Sequence, residues 1–123
     1  MKQLQFHFDT NRPIYVQLVA QLELYIISGA LPPGERIPSV RDLAVMAKVN
    51  PNTMQRALTE LEERKLIFTE RTNGKYVNSS PEAIQQNRQK YACQRIREFT
   101  AEMTRLGFKP QEVIKMLKKE GKV

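Results

Sequence analysis

The side chains best placed to do chemistry in this chain exchange hydrogen bonds and do not break covalent ones. They gather in Asn50–Pro51–Asn52–Thr53–Met54–Gln55–Arg56, a stretch with no acidic residue. Amide, hydroxyl and guanidinium groups match the base edges of a DNA major groove. An amide can bind adenine through two bonds, and a guanidinium can do the same with guanine or hold phosphate. Asn50 is suited to an N-cap, and Pro51 at the first helical position leaves no N–H orphaned. Met54, Ala57, Leu58 and Leu61 recur at the spacing of a buried stripe, which turns Asn52, Thr53, Gln55, Arg56 and Thr59 outward. An ordinary solvated helix face has a similar composition, so the neighbouring elements must decide between the two.

The elements before this stretch supply a frame. Leu4, Phe6 and Phe8 alternate with polar residues in a lead segment that can pack extended against the body. Pro13 opens a helix near 13–28 with Ile14, Leu18, Val19, Leu22 and Ile26 on one face, and Gly29 closes it. Leu31–Pro32–Pro33–Gly34 is a rigid turn, and Glu35–Arg36–Ile37 suits a short bridging strand. Ser39 caps a second helix near 39–47 with Asp42 three residues on. Lys48–Val49 then turns the chain into a third helix near 51–64. Two short helices joined by a tight turn, the second opening with base-reaching side chains, form a helix-turn-helix. Glu60, Glu62 and Glu63 gather at the far end of the third helix, so its first half is the part suited to DNA.

A hairpin pattern extends the motif. Leu66–Ile67–Phe68–Thr69 and Tyr76–Val77 read as strands separated by Thr72–Asn73–Gly74–Lys75, a hairpin signal. A hairpin after a recognition helix is a wing, spanning 69–77 here, with Arg71 and Lys75 beside its tip and able to reach phosphate or the minor groove. Residues 81–106 have helical periodicity. Ala92, Ile96, Phe99, Met103 and Leu106 form a seam suited to a partner helix, and Pro110 starts a last helix.

Composition narrows the function. The 123 residues suffice for one small domain with an appendage, and a net charge of +7 suits an anionic partner. Residues 1–80 hold 10 Lys/Arg against 8 Asp/Glu, and residues 81–123 hold 10 against 5. DNA affinity in the first part must therefore come from the placement of charge. The single cysteine, Cys93, excludes an internal disulfide, and the single histidine, His7, has no companion ligand near it. No metal or cofactor is expected. One His, one Cys and no phosphate-cradling glycine loop argue against an enzyme. With no apolar run of membrane length and no signal-peptide core, the expected location is the cytoplasm.

Gly34–Glu35–Arg36–Ile37–Pro38–Ser39–Val40–Arg41–Asp42–Leu43–Ala44 resembles the helix-two signature of the GntR family of bacterial transcription regulators. Val49 to Leu58, with Leu61–Glu62, is similar to its recognition helix, and the likeness runs over about residues 10–78. It implies that Arg41 contacts phosphate and that Gly74 is the wing glycine. Several family members carry arginines where this chain has Pro51 and Gln55, so their base preference does not transfer. The short two-helix C-terminal region resembles the YtrA-like subfamily, which implies a dimerisation arm and often repression of transporter genes.

The resulting expectation is mainly α with a small β-hairpin wing, an α+β chain. A winged helix-turn-helix over 1–78 precedes an α-helical dimerisation region over 79–123. The function expected is a homodimeric repressor of a palindromic double-stranded DNA operator. Contacts would come from Arg41, Asn52, Thr53, Gln55, Arg56, Arg71, Gly74 and Lys75, and dimerisation from Ile96, Phe99, Met103 and Leu106. A winged helix that binds protein through its exposed polar face is the alternative. The sequence names no small-molecule effector.

Overall fold

The computed structural model describes residues 3–121. Helix α1 spans Ile14–Ile27, α2 Val40–Ala47 and α3 Pro51–Glu63; strands β1 (Ile67–Glu70) and β2 (Gly74–Val77) come next, then α4 (Pro81–Arg105) and α5 (Pro110–Glu120). These are the five helices and the antiparallel hairpin that the sequence predicts. One compact unit runs to Arg88 and a second from Gln89. The first takes in the opening turns of α4, because Ile84 is buried.

Three helices and the hairpin enclose one apolar core. Leu18, Leu22 and Ile26 of α1 are buried together with Leu43 of α2, Met54, Leu58 and Leu61 of α3, Leu66 just before β1 and Val77 at the end of β2. Burial of this kind stabilises by roughly 1.5–3 kcal/mol per large side chain. The lead segment is tied to α1 by a ladder. Buried Gln17 accepts from the Asp9 N–H (2.9 Å) and donates to the carbonyls of Asp9 (3.0 Å) and Arg12 (2.9 Å). Gln21 pairs in the same way with both backbone groups of His7, and the Tyr25 hydroxyl with both of Gln5. The pitches match: four helical residues advance about 6.0 Å and two extended residues about 6.6 Å.

The helix ends explain the tight turns. The Ser39 hydroxyl accepts from the Asp42 N–H (3.1 Å), starting α2. Lys48, with φ 57°, ends it, while Lys48 N–H reaches the Val45 carbonyl and Val49 N–H the Ala44 carbonyl. That paired pattern is a Schellman closure. It recurs after α3, where Lys65 has φ 62° and the Leu66 N–H reaches the Leu61 carbonyl.

The hairpin differs in detail from the sequence expectation. Glu70 pairs with Gly74 and Thr69 with Lys75, so Gly74 and Lys75 belong to β2, and the loop is Arg71–Thr72–Asn73. A three-residue loop needs a positive φ where it re-enters the ladder, and Gly74 supplies one at 105°. The bridging strand also forms. Arg36 bridges Tyr76, the Ile37 N–H reaches the Lys75 carbonyl (2.9 Å), and the Val77 N–H reaches the Glu35 carbonyl (2.9 Å).

Candidate nucleic-acid interface

The reading helix is built by its cap and its stripe. Asn50 is extended, and its side-chain oxygen accepts from the Asn52 N–H at 2.7 Å with Pro51 in the first turn. Met54, Ala57, Leu58 and Leu61 are buried, which leaves Asn52, Gln55, Arg56 and Thr59 exposed and Thr53 half-buried. Gln55 is lightly held: its amide nitrogen lies 3.4 Å from the Thr59 hydroxyl, which itself donates to the Gln55 carbonyl at 3.0 Å. The Gln55 side-chain oxygen accepts no bond among the described residues.

Arg56 behaves differently. Its guanidinium carbon stands 3.9 Å from the centre of the Tyr15 ring on α1, a cation–π contact. One turn further along α3, Glu60 accepts from Arg64 Nε (2.9 Å), and Arg64 also meets Glu23 of α1 (3.3 Å). Arg56 therefore sits at the α1–α3 seam, whereas Asn52 and Gln55 are exposed and make no side-chain hydrogen bond to α1 among the described residues. Sequence reasoning missed Tyr15. The signal was faint, an aromatic at the start of α1 with no motif around it.

Arg41 lies in the first turn of α2, exposed and without an ion pair among the described residues. Its place beside unbonded helix N–H groups suits an anion. Arg71 stands in the wing loop, equally exposed. Lys75 is half-buried instead: its ammonium lies 2.7 Å from Glu62 and 2.8 Å from the Thr69 hydroxyl, and Thr69 also donates to Glu62 (2.7 Å). The bond from Lys75, helped by the one from Thr69, holds the Glu62 carboxyl below the usual carboxylate range.

The pairing of charge has a pattern. Arg12, Arg64 and Lys75 are satisfied by Asp9, by Glu23 and Glu60, and by Glu62. Arg36, Arg41 and Arg71 have no anionic partner among the described residues. The carboxylates at the far end of α3 are thus partly neutralised internally, and unpaired cations remain on α2, the bridging strand and the wing. Arg36 was not singled out from the sequence as a contact, because a bridging strand gives no hint of what lies across it.

In the second unit the predicted seam is in the open. Ile96 is 62% exposed, Leu106 67% and Phe99 41%, with Met103 half-buried. Helix α5 adds Ile114, Met116 and Leu117, all exposed, and buries nothing. Among the described residues, no cluster of His, Cys, Asp and Glu could hold a metal ion. No described helix is long and apolar enough to cross a membrane.

A three-helix core carrying a hairpin wing, with a polar first half to its third helix, defines a winged helix-turn-helix of the DNA-binding class. Residues 14–77 match the sequence pattern of the bacterial regulatory proteins of the gntR family. The chain belongs to that family and is a transcription regulator, not an enzyme. It is 32% identical over 111 residues to the HTH-type transcriptional regulator YhcF of Bacillus subtilis, covering 90% of this chain and 92% of that one. With the HTH-type transcriptional repressor YtrA of Bacillus subtilis it shares 36% identity over 77 residues, 63% of this chain and 59% of that protein. The structure of a GntR family transcriptional regulator from Listeria monocytogenes superposes with a TM-score of 0.85 at 39% identity, covering 91% of this chain and 98% of the other. The family resemblance carried by the helix-two and recognition-helix residues is borne out, and YtrA is among the relatives that the chain resembles.

Proposed function

We propose that this regulator is a homodimeric repressor that reads a palindromic operator, acting in the cytoplasm. The observation that carries the DNA reading is the pairing of charge. Arg12, Arg64 and Lys75 are each paired with carboxylates, whereas the exposed Arg36, Arg41 and Arg71 have no anionic partner among the described residues and are open to an external anion. Asn52, Thr53 and Gln55 then read bases, and Arg41, Arg56 and Arg71 hold phosphates, with the backbone at Gly74 bringing the wing close. Lys75 joins this set through the wing, with its ammonium engaged by Glu62. The open seam of Ile96, Phe99, Met103 and Leu106 supports dimerisation through residues 79–123, since a lone chain gains nothing from exposing it. Two copies related by a two-fold axis would present two reading helices to two half-sites.

Selection of bound duplexes from a random pool tests this reading. The expected result is a two-fold symmetric consensus, and a single unrepeated half-site would remove the palindromic dimer. Binding that resists rising salt and heparin would instead favour a protein partner, because phosphate contacts weaken steeply with salt.

A further inference from the structure

Gly74 is the point where the wing meets another element. A β-carbon built there would stand 3.2 Å from Arg36 Nε and 3.3 Å from one terminal nitrogen of the same guanidinium. The Arg36 side chain thus lies directly against the glycine's backbone, in space that any other residue would fill. Register explains the encounter: Arg36 bridges Tyr76, which places its side chain along β2 toward the start of that strand. The guanidinium is exposed and bonds to no group among the described residues. Its neighbour on β2, Lys75, has its own charge engaged by Glu62. Across the hairpin, Glu70 pairs with Gly74, and its carboxylate lies 3.4 Å from the Asn73 amide.

We propose that Arg36 is a DNA-backbone contact of the wing, held in place by the glycine beneath it. A guanidinium free to swing would lose rotamer freedom on meeting a phosphate, and one already lying on the wing backbone loses less. Gly74 then has two roles. Its positive φ closes the loop, and its missing side chain seats the arginine. This assignment rests on the DNA reading above and adds a cation that neither the helix-turn-helix nor the wing loop supplies.

The test compares the full-length parent, Arg36→Ala, Arg36→Lys and Gly74→Ala on the selected operator and on a random duplex, each across a salt series. Arg36→Ala should weaken both duplexes by similar factors, roughly 3- to 10-fold near physiological salt, with a salt slope shallower by about one unit. Arg36→Lys should keep the slope, because the charge is kept. Gly74→Ala should resemble Arg36→Ala on DNA, and its thermal midpoint shows whether the strained loop has cost stability. An unchanged slope in Arg36→Ala, or a loss confined to the operator, would overturn the assignment while leaving the DNA reading intact. A parent that binds neither duplex would overturn the DNA reading itself and this assignment with it.

Discussion

The Lys75 ammonium stands 2.7 Å from the Glu62 carboxylate, and this contact joins the far half of the reading helix to the second strand of the wing. Thr69 closes the triangle from the first strand, donating to Glu62 at 2.7 Å. This link between helix and wing therefore requires an ionised carboxylate.

Glu62 gives the contact a pH dependence with a definite sign. Its folded pKa is depressed, chiefly by the bond from Lys75, so its contribution is complete above the unfolded value of about 4.3 and is lost as pH falls through the folded value. Glu62→Gln should flatten the acid limb of the stability curve below about pH 4.5, with little change near pH 7 beyond the weakened pair. Thermal midpoints of parent and variant from about pH 3 to 7 check this. Parallel curves would mean that the carboxylate does not hold the wing.

The ladder on α1 predicts a larger effect. Gln17 is 2% exposed and makes three bonds to the lead segment. Gln17→Leu keeps the bulk but strands an N–H and two carbonyls, at a cost of about 1–3 kcal/mol if they stay buried. Urea denaturation measures it. A loss below ~0.5 kcal/mol would show that water replaces the amide readily.

Legibility in the sequence tracks locality. Asn50 and Pro51 announce a helix start, Ser39 another, and Asn73–Gly74 a hairpin, because each is a bond or a φ preference settled within a few residues. The buried stripe of α3 was legible for the same reason and defined Gln55 as outward. Arg56 on Tyr15, Lys75 on Glu62 and Arg36 on Gly74 were not, since each joins residues 13 or more positions apart and depends on packing. The outward set of α3 thus divides in the folded chain into a lightly held amide and a seated guanidinium, a distinction no helical wheel contains.

The second unit predicts an oligomeric state. With Ile96, Phe99 and Leu106 exposed, Phe99→Asp would place an unpaired charge in the proposed seam, which is strongly unfavourable once the seam is covered. Sedimentation should show monomers at concentrations where the parent dimerises, with an unchanged circular dichroism spectrum. An intact dimer would move the interface elsewhere.

Gln55 carries the most selective prediction. It lies one turn into α3, exposed beside the buried stripe of Met54 and Leu58, and its side-chain oxygen is unengaged among the described residues. The long 3.4 Å contact to Thr59 gives up little when the amide turns to a base, where its donor and acceptor match adenine N7 and N6. Being neutral, it adds little to the salt-dependent part of binding. Gln55→Ala should therefore cost about 1–3 kcal/mol at one base pair per half-site, with random-duplex affinity and salt slope nearly unchanged. Gln55→Arg should shift the preference at that base pair toward guanine, whose O6 and N7 accept a guanidinium. A binding series on operators varied one base pair at a time, parent against both variants, decides the matter. A loss spread evenly over all sequences would show that Gln55 supports the helix or the backbone, and the base-reading role would pass to Asn52 and Thr53.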